Sequence, residues 1–579
     1  MIVLSSRLLT MPRTLWEADE HLFAAAVRSF EPLASHPHPP GYPLYVGLGK
    51  FGASFTDSIF TALLAISVIG CIVGVVALSL AFRRVTGDPD LAVCGALLYY
   101  FGAAMLVHGT LPMSDGPAIA CTALALLAMT YFPSEASERT AIALGFVTSA
   151  AIGIRPQLVV PLLPVFLYVL LTSRDVRKIV AGLVSFTILS LAWFTQLVEA
   201  CKGWDKFLAW ETRQAAYIAA HDAAASRGAQ TAGEVASRFI FHPWGPKAIA
   251  LPVICLALLG TIAFFRTIPA EGRRRAIPIL AFSTIYFFFA LNVMDPADGP
   301  RYALPWLIAI ALFAALGLGI VRDSLKMRLA PLAVVVVIAL SSYVYVAPII
   351  LTRHRQPAPA AEAADYAKAT YPAKGVILYD LSLRPQAEVL FAPFVSSALD
   401  KGLAAYYDRP DVPLVALGDG GAFAGDAKTF SWPESDAYGK LTRGHYRVIS
   451  LDPVVPSERF LPVRGVYATE RTDVLEWRWL QPTATIRLPR AHGRTLLLTF
   501  GLAHDVPYET NDVHVSVNGA SGPSVTVARK GTATLTVALP ETPAVEVVIQ
   551  SAQWFAPAAA LRNQDPRMLA VQLLRVETR

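Results

Sequence analysis

The chain has 579 residues, of which 54% are hydrophobic and 16% charged, and its mean hydropathy is +0.48. These values exclude an ordinary soluble globular protein. A formal charge of +6 does not mark a nucleic-acid binder, because the basic residues are spread over short loops between apolar runs and form no single patch. Nucleic acid is therefore not an expected partner; a lipid bilayer is.

The first polar stretch reads Trp16-Glu17-Ala18-Asp19-Glu20-His21, followed by His36-Pro37-His38-Pro39-Pro40-Gly41-Tyr42-Pro43-Leu44-Tyr45. Apolar segments follow at about 58–82, 91–108, 114–132, 140–154, 157–172, 179–198, 247–265, 276–291, 302–321 and 329–350. Runs of about 18 residues or more reach across a hydrocarbon core, so about ten helices are expected. The fourth and fifth segments are short and separated by Arg155-Pro156, which suits a tight or partly re-entrant hairpin. In the 199–246 loop, Trp204, Phe207, Leu208 and Ile218 fall at helix-like spacing. An interfacial helix and packing against the bundle both account for them.

Loop charge sets the orientation. Arg83 and Arg84, Arg139, Arg174 with Arg177 and Lys178, Arg266 with Arg273 to Arg275, and Arg322 with Lys326 and Arg328 occupy alternate loops. The positive-inside rule makes these loops cytoplasmic. The other face then carries residues 1–57, the Pro112–Asp115 turn, Arg155, the 199–246 loop, the Asp295–Arg301 loop and everything after the last span. Nothing before residues 1–57 is long enough to export them. One expectation is that the start lies inside a longer gene product with one more helix upstream. The other is that Tyr42–Phe51 dips into the membrane and the first span inserts unaided.

Beyond the spans, residues 356–458 alternate helix-like and strand-like pieces and predict a small extracytoplasmic α/β layer. It has no glycine-rich nucleotide fingerprint after its first strand. Residues 460–579 show period-2 segments with turn signals at Asn518-Gly519 and Lys530-Gly531, predicting an antiparallel, jelly-roll-like β-sandwich. Trp477, Trp479, Trp554 and Phe555 either stack on sugar rings or pack the core there. All five cysteines, Cys71, Cys94, Cys121, Cys201 and Cys255, precede this tail, and the chain has no Asn-x-Ser/Thr acceptor, so no disulfide framework or glycosylated secretory domain is expected in it.

Acids at a membrane edge are costly and usually functional. Glu17, Asp19, Glu20, Asp115, Asp295 and Asp298 all fall on the outer face, with His21, His36, His38, Arg155, Arg301 and Tyr302. Moving a sugar off a lipid phosphate needs a carboxylate base for the acceptor and an arginine or divalent metal for the leaving phosphate. Bland roles exist as well. Asp115 and Ser114 can cap the next helix, Arg301-Tyr302 can anchor the interface, and the prolines around His36 and His38 fit a rigid turn as well as a metal pair. If a divalent metal such as Mg or Mn is used, Asp19, Asp115 and His38 are the residues that can hold it.

The acidic first loop, the His-Pro-Pro-Gly-Tyr run, Asp115, Arg155-Pro156-Gln157 and Arg301-Tyr302-x-Leu304-Pro305 together resemble the GT-C class of integral-membrane glycosyltransferases. The relatives they resemble are the protein O-mannosyltransferases and aminoarabinose transferases of glycosyltransferase family 39. The resemblance spans about residues 14–350. It implies a polyprenyl-phosphate sugar donor, an extracytoplasmic acceptor, and inverting single displacement with an acid of the first outer loop as base. By position that base is Asp19, with Glu20 as runner-up and Asp115 as the second acid. Substrate binding falls to His36, His38, Tyr42, Arg155, Arg301 and Tyr302, the two arginines facing phosphate. Such enzymes normally have a helix before the acidic loop, which this chain lacks, and the tail is similar to periplasmic tails of some bacterial members. The localisation this implies is a bacterial inner membrane with the site on the periplasmic face. Two rival readings are an export or transporter-like protein and a glycan-assembly scaffold. The acids lie at one face and no matched halves are visible, which favours surface chemistry over passage.

Overall fold

The computed structural model describes residues 1–132, 134–221, 223, 231–406, 409, 411–419, 427–454, 460–471, 476–488, 494–542, 544–557 and 567–579. They fall into two compact units, Met1–Ala358 with Pro433–Gly444, and Pro359–Trp432 with His445–Arg579.

The first unit is helical. It opens with α1 (Ile2–Leu8), α2 (Ala18–Arg28) and α3 (Pro43–Ala53), then α4 (Ile59–Thr86), α5 (Pro89–Tyr100), α6 (Ala103–His108), α7 (Asp115–Met129), α8 (Glu138–Ile154), α9 (Val159–Thr172) and α10 (Val176–Ala200). α11 (Trp204–His221) and the short α12 (Ala232–Ala236) lead to α13 (Lys247–Arg266), α14 (Ala270–Val293), α15 (Gly299–Tyr302), α16 (Leu307–Leu325) and α17 (Ala330–Arg355). Each expected apolar segment is helical. The segment expected at 91–108 is two helices, because the chain leaves helical geometry at Phe101 and Gly102. Among the described residues six helices, α4, α10, α13, α14, α16 and the one beginning at Ala330, are long and apolar enough to cross a membrane, while Asp115–Met129 and Pro156–Thr172 are apolar but shorter. Val180, Val184, Ile188 and Leu191 stand exposed along α10, as on a lipid-facing helix.

Helix starts follow local chemistry. The Ser58 hydroxyl accepts from the Thr61 N–H at the head of α4, and the Asp88 carboxylate accepts from the Asp90 and Leu91 N–H groups at the head of α5. α13 and α16 approach backbone to backbone. A Cβ on Gly260 would lie 1.7 Å from the Phe313 carbonyl oxygen, and one on Gly317 2.0 Å from that of Leu256, the small-residue packing that membrane helices favour. α11 sets Phe207 and Trp210 against Leu197 and Cys201 at the end of α10, while Trp204 and Leu208 stay exposed. The packing reading thus applies to Phe207, which lies against the end of α10.

In the second unit, α18 (Pro359–Thr370) precedes a mixed sheet of β1 (Val376–Tyr379), β2 (Val395–Ala398), β3 (Leu414–Asp419), β4 (Lys428–Ser431) and β5 (Val448–Pro453), in the order β2-β1-β3-β5-β4. β1 is parallel to β2 and β3; β5 is antiparallel to β3 and β4. α19 (Arg384–Leu390) and α20 (Leu399–Tyr406) connect strands. The next helix, α21 (Asp436–Leu441), belongs to the first unit. Its buried Tyr438 and Leu441 are the reason, since Tyr438 meets Trp16 and the Leu441 carbonyl accepts from His108.

The remaining strands are β6 (Leu461–Arg471), β7 (Glu476–Leu488), β8 (Thr495–Gly501), β9 (Thr510–Val517), β10 (Ala520–Ala528), β11 (Thr532–Ala538), β12 (Val545–Ser551) and β13 (Gln572–Thr578). They form one antiparallel sheet, ordered β10-β9-β12-β7-β13-β8-β11, with β6 also on β7. β7 is shared between two halves, pairing β13 through Arg478 and Trp479 and β12 through Thr483 to Leu488. Alternate residues face the core, as in Val513, Val515 and Val517 of β9 and Val545, Val547 and Ile549 of β12. Asn518 and Gly519, both at positive φ, make the two-residue turn from β9 to β10. Trp479 and Phe555 are buried edge to face in this core, whereas Trp554 is exposed.

Candidate active site

The polar stretch from Trp16 to Tyr45 reaches the bundle through two local devices. Glu20, in the first turn of α2, accepts a hydrogen bond from the Trp16 N–H at 2.8 Å, tying the helix start to the residue before its N-cap. Further on, Gly41 has φ +92 and Tyr42 φ +47, and Pro43 opens α3. A Cβ on Gly41 would meet Leu197 Cδ1 at 2.5 Å, so the turn that aims Tyr42 inward requires glycine. The Tyr42 hydroxyl then lies 3.2 Å from His38 Nε2 and accepts from Gln157 Nε2 at 2.9 Å.

Asp115, Arg155, Arg301 and Asp19 form one chain of ion pairs. Asp115 Oδ1 accepts from Arg155 Nη1 at 2.6 Å and Asp115 Oδ2 from Arg301 Nε at 3.1 Å. Arg301 Nη1 also donates to Asp19 Oδ2 at 3.0 Å and to Asp298 Oδ2 at 3.2 Å. Arg443, just past α21, adds a third guanidinium, with Nη2 3.3 Å from Asp295 Oδ2 and Nε 3.8 Å from Asp298 Oδ2. His38 Nδ1 stands 3.7 Å from Asp19 Oδ1, near but beyond hydrogen-bond length.

Burial grades across the cluster. The Asp115 and Arg155 side chains are each 4% exposed and that of Arg301 8%, while Asp19 is 28% and Arg443 39% exposed. The deep pairs are a fixed electrostatic floor, and Asp19, His38 and Arg443 are the groups a substrate can reach. Burial by itself would raise the Asp19 carboxyl, but His38, Arg301 and Arg443 outweigh it and hold Asp19 well below the usual carboxylate range. Burial pushes His38 down against the pull of Asp19, so the permanent guanidiniums carry that effect at neutral pH. Glu17 behaves oppositely. Burial, then the charges of Asp298 and Glu20, push it up to about 8.

The structure therefore brings Asp19, Asp115, Arg155, Arg301, His38 and Tyr42 together, with Tyr302 beside Arg301, its ring 5.7 Å from the guanidinium. Glu20 is fully buried, its Oε2 given to the Trp16 N–H, and burial pushes it up to about 7. It sits as a structural partner of the loop. His36 joins the Glu31 backbone in a short bridge. Sequence reasoning gave no role to Glu17 and Asp298 and missed Arg443 altogether. An arginine about 90 residues beyond the last span, in a stretch without apolar runs, carries no local signal that it returns to the membrane unit.

Of the possible metal ligands, Asp115 has both oxygens occupied by arginines and Asp19 has one occupied, leaving no carboxylate pair free for a cation. Among the described residues, no group of three or more His, Cys, Asp or Glu side chains is placed to hold a metal ion. The transfer proposed for this site draws on no metal ion.

Residues 37–195 match the family described as dolichyl-phosphate-mannose-protein mannosyltransferase. No curated protein matches the sequence. Among solved structures, the chain is similar to ArnT from Cupriavidus metallidurans bound to undecaprenyl phosphate, with 15% identity over 78% of this chain and 96% of that one and a TM-score of 0.49. It is also similar to the arabinofuranosyltransferase AftD from Mycobacteria (11% identity, 99% of this chain, 58% of that one, TM-score 0.43). A third likeness is to the arabinosyltransferase EmbB from Mycobacterium smegmatis (11% identity, 100% of this chain, 64% of that one, TM-score 0.39). The family match runs from the His38 turn into α10, within the stretch that carries the sequence resemblance.

Proposed function

We propose that this protein moves a monosaccharide from a polyprenyl-phosphate donor to an acceptor hydroxyl on the outer face of a membrane, the periplasmic face of a bacterial inner membrane, with Asp19 as the base. The observation that carries this reading is the ion-pair chain Asp19–Arg301–Asp115–Arg155, which joins the first outer loop to the ends of distant apolar helices. A carboxylate at the accessible end of a fixed cationic floor suits this transfer. Asp19 meets a neutral hydroxyl, and the positive potential of the floor favours a phosphate gathering charge. The dolichyl-phosphate of the family description agrees with the lipid-linked donor class.

The step is an in-line displacement. The acceptor hydroxyl attacks the anomeric carbon, the bond from that carbon to the phosphate oxygen breaks, and the lipid phosphate departs with the electron pair. Configuration inverts and Asp19 takes the hydroxyl proton. Because Asp19 stays ionised at neutral pH, it orients the hydroxyl by accepting its hydrogen bond. Proton transfer then follows late, once bond formation has made that proton acidic. Arg301 and Arg155, fixed through Asp115, supply positive potential beneath the site. The test is Asp19→Asn, expected to lower turnover by about two to four orders of magnitude with folding and insertion intact. Transfer at the wild-type rate by that variant would overturn Asp19 as the base.

A further inference from the structure

The arginines that sequence reasoning offered to the donor phosphate are the ones least able to take it. Arg155 Nη1 is held by Asp115, Arg301 is shared among Asp115, Asp19 and Asp298, and both side chains are buried. Reaching either would carry a phosphate into a buried, low-dielectric site whose positive charge carboxylates already offset, which is costly. Arg443 differs on each count. Its pairs with Asp295 and Asp298 are the longer ones, 3.3 and 3.8 Å, its side chain is 39% exposed, and Asp295 and Asp19 beside it are partly open.

Its backbone is nonetheless fixed. α21 is pinned by Tyr438 edge to face on Trp16 with ring centres 5.5 Å apart, by the Leu441 carbonyl accepting from His108 Nε2 at 2.9 Å, and by the Tyr345 hydroxyl donating to Asp436 at 3.1 Å. A guanidinium on a rigid base, held loosely by one accessible carboxylate, can exchange partners at little cost. Its planar fork also matches a phosphate better than an ammonium would.

We propose that Arg443 is the residue that grips the phosphate of the lipid-linked donor, leaving Asp295 to do so and returning to it when the lipid phosphate departs. This rests on the polyprenyl-phosphate reading above. It adds a part of the chain beyond the last membrane helix as a substrate-binding element of the membrane unit. Asp295 is the competitor, its Oδ1 already occupied by the Ala297 N–H and its Oδ2 given to Arg443.

The test measures binding of farnesyl phosphate to the purified full-length protein in detergent, with farnesol and inorganic phosphate as the other arms. Wild type should bind farnesyl phosphate and neither of the others comparably. Arg443→Ala should weaken binding by about tenfold or more, and Asp295→Asn should bind at least as tightly as wild type. Wild-type affinity in Arg443→Ala overturns the proposal and leaves the donor reading standing. Absence of binding by wild type overturns both, and equal affinity for inorganic phosphate overturns the lipid-linked assignment. Should Arg443→Ala fail to fold, Asp295→Asn decides. Weaker binding there means that the pair is only structural and the proposal falls.

Discussion

Asp115 and Asp19 share Arg301 and yet should respond to substitution in opposite ways. Asp115 gives one oxygen to each of two buried arginines. Asp115→Ala leaves both guanidiniums short of a partner and should cost about 3–5 kcal/mol of stability, seen as a lowered melting temperature in detergent; an unchanged melting temperature contradicts this role. Asp19 sits at the accessible end, and without it Arg301 keeps Asp115 and Asp298. Asp19→Asn should therefore silence transfer while melting close to wild type. Glu17 supplies a pH test. Its folded value, about 8, lies above its ordinary 4.5, so the folded chain holds the proton more tightly than the unfolded one. Stability from this group is complete below 4.5 and lost as pH rises through about 8. Glu17→Gln should flatten the fall in melting temperature over that window, and an unchanged slope contradicts it. The acids and arginines at span ends were legible because a charge at a membrane edge needs a reason. The proton held by Glu17 was not, since it depends on Asp298 and Glu20 being folded against it.

At the scale of elements, the site depends on two short pieces aimed correctly. The Gly41–Tyr42 turn is one. Gly41→Ala places a Cβ against Leu197 in a left-handed conformation, and should cost about 1–3 kcal/mol, with a raised KM as Tyr42 shifts from His38 and Gln157. Wild-type melting and KM together would show that the turn is not required. α21 is the other piece, and it marks the limit of sequence reading. The long apolar helices announce themselves because each carries its own signal over about 18 residues. Six residues of α21 carry none, and their docking is decided by Trp16, His108 and Tyr345, all remote in the chain. The break at Phe101-Gly102 was hidden for the converse reason, since hydropathy runs through it unchanged.

For the whole molecule, the division into a membrane part and a strand-rich tail was written in composition, and the hairpin register at Asn518-Gly519 in turn chemistry. What composition could not express is that β7 serves both halves of one sheet, because strand order follows from pairings far apart in sequence. The central proposal belongs to this scale too: that a lipid-linked sugar is consumed at a site built from the Trp16–Tyr45 stretch and the distant ends of apolar helices. The most direct measurement incubates the purified full-length protein with a panel of polyprenyl-phosphate sugars and follows release of the lipid phosphate, alongside Asp19→Asn. The account predicts that wild type consumes at least one donor and that Asp19→Asn does not. Consumption of no donor by wild type, or equal consumption by the variant, would contradict it.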